Sequence, residues 1–223
     1  MPDRCRRHGR RSRGRCALVA AVGVTQVVTG CSLHRAPSTE LAFPAVVSGA
    51  SARPAPLRST LGRYEPTSIA IPRIAVNAPL TRVGSEGNGQ IKAPPLDDHN
   101  LAGWYERGAT PGEPGTAVIV GHLDTTGGPA VFARLRELEQ GDVVGVVRAD
   151  ETVAVFKITA VEQVAKHRFP AGRVHGSGQG GVPELRLVTC AGTYDESRRS
   201  YPDNLILYAT FAAAYRVADL LKT

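Results

Sequence analysis

The sequence predicts a mostly antiparallel β-barrel carrying one or two short helices. Three observations lead to it. From residue 68 onward, short apolar runs alternate with Gly, Pro and Asp breaks, the texture of an all-β barrel or sandwich. Seven such runs qualify as strands, whereas only two stretches show a helical spacing. The roughly 150 residues involved can bury about two-thirds of the surface their unfolded chain exposes, so one core suffices without disulfides. No internal repeat divides it.

Residues 1–31 read as a signal sequence or N-terminal membrane anchor. Eight of the 27 Lys+Arg lie in residues 1–40, against Asp3 and Glu40, and an uncharged run from 16 to 32 follows most of them. A positive segment followed by an apolar one is the order of an export signal. As a helix, residues 16–30 would span only about 22 Å, short of the roughly 30 Å hydrocarbon core. Val28-Thr29-Gly30-Cys31 resembles a bacterial lipobox with Cys31 as the lipidated residue, although Thr29 stands where Ala or Ser is commoner. A lipoprotein and an uncleaved anchor both stay open, and either places the domain on the extracytoplasmic face of the membrane, tethered by its N-terminus.

Residues 32–66 carry five prolines among Ala, Ser and Arg with no sustained apolar period, and read as a linker. A flexible chain of that length has a root-mean-square span of roughly 30 to 35 Å. The folded domain, which the resemblance given below makes catalytic, is expected over 67–223. Its candidate strands are 68–71, 78–82, 116–120, 143–148, 152–164, 184–189 and 204–213. Helical spacing is found near 101–107 and over 130–139, where Val131, Leu135 and Leu138 recur at intervals of four and three. The net charge of +7 belongs to the leader, because residues 41–223 hold 19 basic and 18 acidic residues. A basic binding face would have to lie on the folded part, so no nucleic-acid partner is expected.

The chemistry-bearing candidates sit at strand ends. Cys190, the only cysteine after position 31, closes Leu185-Arg186-Leu187-Val188-Thr189-Cys190 ahead of Ala191-Gly192-Thr193. A lone thiol where a strand meets a Gly-containing loop suits a nucleophile, exposed by the loop and positioned by the strand. His122 follows the apolar run Ala117-Val118-Ile119-Val120 in a Gly121-His122-Leu123-Asp124 segment, and Gly121 permits close backbone approach. Alone, a strand-end histidine reads first as a hydrogen-bonded structural residue. His122 and Asp124 have no further His, Cys or Asp at ligand spacing, so neither a metal nor another cofactor is expected.

A family resemblance joins these pieces. Ile71-Pro72-Arg73-Ile74-Ala75-Val76-Asn77-Ala78-Pro79, Gly103-Trp104-Tyr105, Pro111-Gly112-Glu113-Pro114-Gly115, Val120-Gly121-His122-Leu123-Asp124, Val131-Phe132-Ala133-Arg134-Leu135, Gly141-Asp142, Leu187-Val188-Thr189-Cys190 and Tyr201-Pro202-Asp203-Asn204 follow one another as in sortases. The chain resembles the actinobacterial class F (class E/F) branch over about residues 66–213. The resemblance implies an eight-stranded β-barrel and an extracytoplasmic cysteine transpeptidase. Such an enzyme cuts a C-terminal Leu-Pro-x-Thr-Gly-type sorting signal between Thr and Gly, holds the acyl part as a thioester and passes it to a peptidoglycan precursor or other amine. Cys190 is then the nucleophile and His122 the general acid/base, in a chain expected to be monomeric. The chemistry agrees, because a thiol with a pKa of about 8.5 is only a few per cent thiolate at pH 7 and needs a partner for its proton. The family requires no separate triad carboxylate, and none is nominated.

The family's third role, an arginine that positions substrate and stabilises the oxyanion, lies after the cysteine, near or in the last strand. The resemblance assigns it to Arg199, with Arg198 as the alternative. Pro202 stands where many relatives carry another residue, sometimes arginine. The competing reading is a pair of solvated loop arginines. Ala191 and Tyr194 replace a Gly and a Phe common in the family.

Other residues read more plainly. His99, His167 and His175 are expected to be exposed, and Trp104 to anchor the core. Asp97 and Asp98 suit a turn better than a calcium site. The glycine-rich run 176–181 lacks a following helix and lysine, so it is a flexible loop and no phosphate cradle. Two further function classes stay open. One is a cysteine hydrolase or an L,D-transpeptidase-like enzyme, although the latter usually carries a His beside its Cys. The other is a non-catalytic binding lipoprotein on the same scaffold.

Overall fold

The structure, a computed structural model, describes residues 54–57, 60–87, 90–176 and 181–221. The leader with Cys31, and the glycine-rich stretch 177–180, lie outside the described residues. The strands are β1 (Pro66–Ile71), β2 (Val76–Val83), β3 (Ala102–Tyr105), β4 (Gly115–Gly121), β5 (Asp124–Thr125), β6 (Gly128–Pro129), β7 (Val143–Arg148), β8 (Thr152–Ala165), β9 (Pro183–Ala191) and β10 (Asp203–Arg216). Eight of them close into a barrel in the order β1-β2-β3-β4-β9-β10-β8-β7, while β5 and β6 form a small hairpin beyond β4. Two short helices, α1 (Ala171–His175) and α2 (Val217–Leu220), complete the mainly β fold that was expected. Among the described strands only the β2–β3 and β4–β9 pairs are parallel.

Alternation along the strands builds two apolar layers, as a period of two dictates. Leu185 and Leu187 of β9, Ala117 and Ile119 of β4, and Leu205 and Leu207 of β10 point into the barrel and join the main core. Val188, Val118 and Ile206, on the opposite faces of the same strands, form a second cluster outside it, which Val174 of α1 covers. Arg173 of α1 donates to the Glu162 carboxylate at 2.9 Å, and the Tyr208 hydroxyl donates to the same carboxylate at 2.7 Å. Burial, followed by this bond to Glu162, pushes the Tyr208 hydroxyl up to about 12. The helix is thus held by an apolar contact and an ionic one.

The end of the proline-rich segment lies against the barrel. Leu57 N–H donates to Ala214 O at 2.7 Å and Leu61 N–H to Gly112 O at 2.9 Å. Arg148, at the end of β7, has a fully buried side chain. Its guanidinium donates to Pro111 O and Gly62 O and pairs with Asp150, so one cation ties three loops together.

All seven candidate strands lie within observed strands, and the two helical expectations are corrected. The stretch 101–107 contains β3, whose Ala102 pairs with Leu80 on one side and Gly121 on the other. Two flanking strands satisfy its backbone and override the local pattern. The stretch 130–139 forms consecutive turns and then a 3₁₀ helix at Leu135–Glu137. Val131, Leu135 and Leu138 are indeed buried, together with Phe132, but a 3₁₀ turn also aligns residues three apart. Trp104 is buried, with its Nε1–H donating to Ala109 O at 3.1 Å. His99 and His167 are exposed, whereas His175 is half-buried, its ring 6.2 Å from Tyr105 and 6.0 Å from Phe169. That burial lowers its pKa. Asp98 closes the expected turn by accepting from the Asn100 N–H at 3.0 Å.

Candidate active site

His122 and Cys190 lie at the ends of two neighbouring parallel strands. β4 and β9 pair from Gly115 with Pro183 to Val120 with Val188. His122 follows β4 by one residue and Cys190 is the second-last residue of β9, so the two residues stand at the same end of neighbouring parallel strands. Cys190 continues the alternation of Arg186 and Val188 along β9. His122 and Cys190 are each half-buried. On its other side Cys190 faces Asn204 of β10.

Local packing explains the residues around them. A Cβ on Gly121 would lie 2.5 Å from Phe132 Cδ2 and 2.8 Å from Val131 Cγ1, so only glycine lets the 131–132 turn close over the end of β4. That turn is laced to the site by Phe132 N–H donating to His122 O at 3.0 Å. Gly192, two residues after Cys190, has φ of +91°, and a Cβ there would meet Pro202 Cγ at 2.9 Å. It turns the chain out of β9 where another residue would be strained. Between these glycines, His122 Nε2 lies 2.7 Å from the carbonyl oxygen of Pro94, in the β2–β3 connection.

A tyrosine joins the two loops that follow the strands. The Tyr201 hydroxyl donates to the Asp124 carboxylate, linking the segment beyond His122 to the segment beyond Cys190. Its ring packs edge-on against Tyr194 at 5.1 Å. The hydrogen bond to Asp124 comes first among the causes that push the Tyr201 hydroxyl up to about 12, followed by burial and the charges of Asp124 and Cys190. It therefore stays protonated at neutral pH and keeps donating. Thr189, immediately before Cys190, turns inward, and its buried hydroxyl has no hydrogen-bond partner among the described residues.

The two candidate arginines lie in the β9–β10 loop. Arg198 is 80% exposed and pairs with Asp195 of its own turn at 3.6 Å. Arg199 is exposed, with φ of +50°. Asp195 organises this turn by accepting from Ser197 N–H at 2.9 Å and Arg198 N–H at 3.1 Å. Among the described contacts, neither guanidinium touches Cys190 or His122. No group of three or more His, Cys, Asp or Glu side chains able to hold a metal gathers among the described residues. A cleft of about 600 Å³ lined by Arg63, Glu65, Arg82, Trp104 and Arg107 lies at the other end of the barrel. There Arg82 pairs with Glu65 and Arg63 with Glu113, and the cleft holds neither the thiol nor the imidazole. Pro94, Tyr201 and Asp124 were not singled out from the sequence as partners of the site. A carbonyl has no sequence signal, and the tyrosine and the carboxylate lie 77 residues apart.

The sortase-domain family profile matches residues 69–212. The chain belongs to the sortase family, whose members are cysteine transpeptidases. No curated protein matches it. Among solved structures it is similar to the SrtA sortase of Actinomyces oris, at 23% identity and a TM-score of 0.53, covering 71% of this chain and 86% of that one. It is also similar to sortase A of Listeria monocytogenes, at 13% identity and a TM-score of 0.51, covering 70% and 91%. A lid mutant of sortase A from Corynebacterium diphtheriae gives 19% identity and 0.50, covering 68% and 72%. At these identities the likeness is one of fold.

Proposed function

We propose that the protein cleaves a Leu-Pro-x-Thr-Gly-type sorting signal between Thr and Gly, through a thioester on Cys190, and transfers the acyl part to a cell-wall amine, in the manner of a class F (class E/F) sortase. The observation that supports this reading is the parallel pairing of β4 with β9, at whose shared end His122 and Cys190 stand. Cys190 attacks the Thr carbonyl as a thiolate, and His122 gives a proton to the departing Gly amine. His122 then takes a proton from the incoming amine as the thioester is resolved. Arg199 supplies the positive charge for substrate and oxyanion, with Arg198 as the alternative. The leader places the protein outside the cytoplasm, tethered at its N-terminus, as a monomer acting on proteins that carry the signal.

Incubation with a Leu-Pro-x-Thr-Gly peptide is expected to give an acyl-enzyme detectable by mass spectrometry. Cys190→Ala is expected to abolish it, lowering turnover by at least about 10³-fold. An alanine variant that still turns over would overturn the assignment. Products formed with and without added amine separate transfer from hydrolysis, and a parent chain with no turnover at all would favour a binding protein. Arg199→Ala and Arg198→Ala, measured side by side, decide the third role.

A further inference from the structure

Within the β2–β3 connection one residue is folded in while its neighbours face water. Pro94 is the only buried residue described between Gly84 and Leu101, whereas Lys92, Ala93, Pro95 and Leu96 around it are exposed. The connection is tied down on both sides of Pro94. Ser85 bridges to Ile91, which packs against the outer apolar cluster, and Asn100 Nδ2–H donates to Asn77 O at 3.1 Å. The buried point carries the carbonyl that meets His122 Nε2 at 2.7 Å.

A backbone carbonyl can only accept, so a bond of that length requires the hydrogen on Nε2. The partner of one ring nitrogen decides what the other is free to do. We infer that the Pro94 carbonyl is the positioning acceptor of His122, and that His122 exchanges protons with the reacting groups through Nδ1 alone. This rests on the reading of His122 as the general acid/base. During acylation the imidazolium gives its Nδ1 proton to the leaving amine as the C–N bond breaks and the C–S bond forms, and it keeps the proton on Nε2. During transfer, neutral Nδ1 takes one proton from the incoming amine as the C–N bond forms and the C–S bond breaks, which restores the thiolate and the imidazolium. The Pro94 carbonyl thereby holds ring and tautomer, the part that the third member plays in a catalytic triad, without adding a charge beside the imidazole.

The first test needs no substrate. In the full chain labelled with ¹⁵N-histidine, long-range ¹H–¹⁵N correlation above the titration of the imidazole is expected to show the Nε2–H tautomer for His122, assigned by its loss in His122→Gln. An Nδ1–H tautomer, or an averaged mixture, overturns the inference and leaves the assignment of Cys190 standing. The second test uses the fact that Pro95 has no N–H. Lactic acid at position 95 turns the Pro94–Pro95 amide into an ester, a weaker acceptor, and Pro95→Ala is its amide control. Relative to that control, the ester is expected to lower kcat roughly five- to tenfold with KM unchanged, and to blur the tautomer signal. Equal kcat and an unaltered signal in the two proteins would overturn the positioning role.

Discussion

At the end of the barrel where β7 stops, the fully buried Arg148 is bonded to Pro111 O and Gly62 O and paired with Asp150. At the opposite end, Thr189 buries a hydroxyl that meets no partner among the described residues, one position before Cys190. The first end gives every nitrogen of a costly cation an acceptor, and the second leaves even a cheap polar group unmet. The difference separates two tasks. A satisfied buried network holds loops in a single arrangement, and here it fixes the chain entering the barrel. An orphaned hydroxyl is tolerated where strand geometry is set by something other than stability, and on the proposed function β9 carries the nucleophile one residue further on.

The largest effect that would break this contrast falls on Arg148. Arg148→Met is expected to lose about 3 kcal/mol in urea unfolding at constant m-value, because two carbonyls and one carboxylate lose their donor inside the protein. Its acyl-enzyme yield per folded molecule should match the parent, and a parallel loss of specific activity would show that the ends are coupled.

Next comes the link within the active end. Tyr201→Phe removes the donor to Asp124, and kcat is expected to fall roughly three- to tenfold while stability changes by less than about 1 kcal/mol. Unfolding curves and steady-state kinetics on the same preparation check both halves. A stability loss with unchanged kcat would make Tyr201 a structural tie only. Thr189→Val replaces the unmet hydroxyl by a methyl of similar shape, and calorimetry is expected to show a gain of up to about 1 kcal/mol. A clear loss would mean the hydroxyl has a partner, and the contrast between the ends would weaken.

The smallest effect is the pH response of the satisfied end. Burial pushes the Asp150 carboxyl up, but hydrogen bonds from Thr152 and Arg148 outweigh it and hold the group below its usual value. A depressed carboxylate contributes stability above its unfolded pKa of about 4, and that contribution is lost as pH falls through the lower folded value. Asp150→Asn should therefore flatten the loss of stability below about pH 4, as read by thermal unfolding across pH. An unchanged acid limb would assign it to other carboxylates.

Strand placement was legible from the chain because alternation and turn residues are local. All seven candidate strands lie within observed ones, and Cys190 and His122 stand at strand ends as their Gly-flanked positions implied. The misreadings arose where a local pattern had more than one tertiary use. Gly103-Trp104-Tyr105 became a strand because β2 and β4 flank it, and Leu135 and Leu138 suit a 3₁₀ turn as well as an α-helix. His175 looked solvated beside its glycines, yet it packs between Tyr105 and Phe169.

By itself the sequence determined the strand segments and the nucleophile and base candidates. Tertiary structure alone decided that β4 and β9 are parallel neighbours, that the Pro94 carbonyl reaches His122 Nε2, and that Tyr201 reaches Asp124. The physical reason is distance along the chain. Propensity and periodicity act within a few residues, whereas pairing across 28 to 77 residues depends on which closed loops let the whole core pack at once.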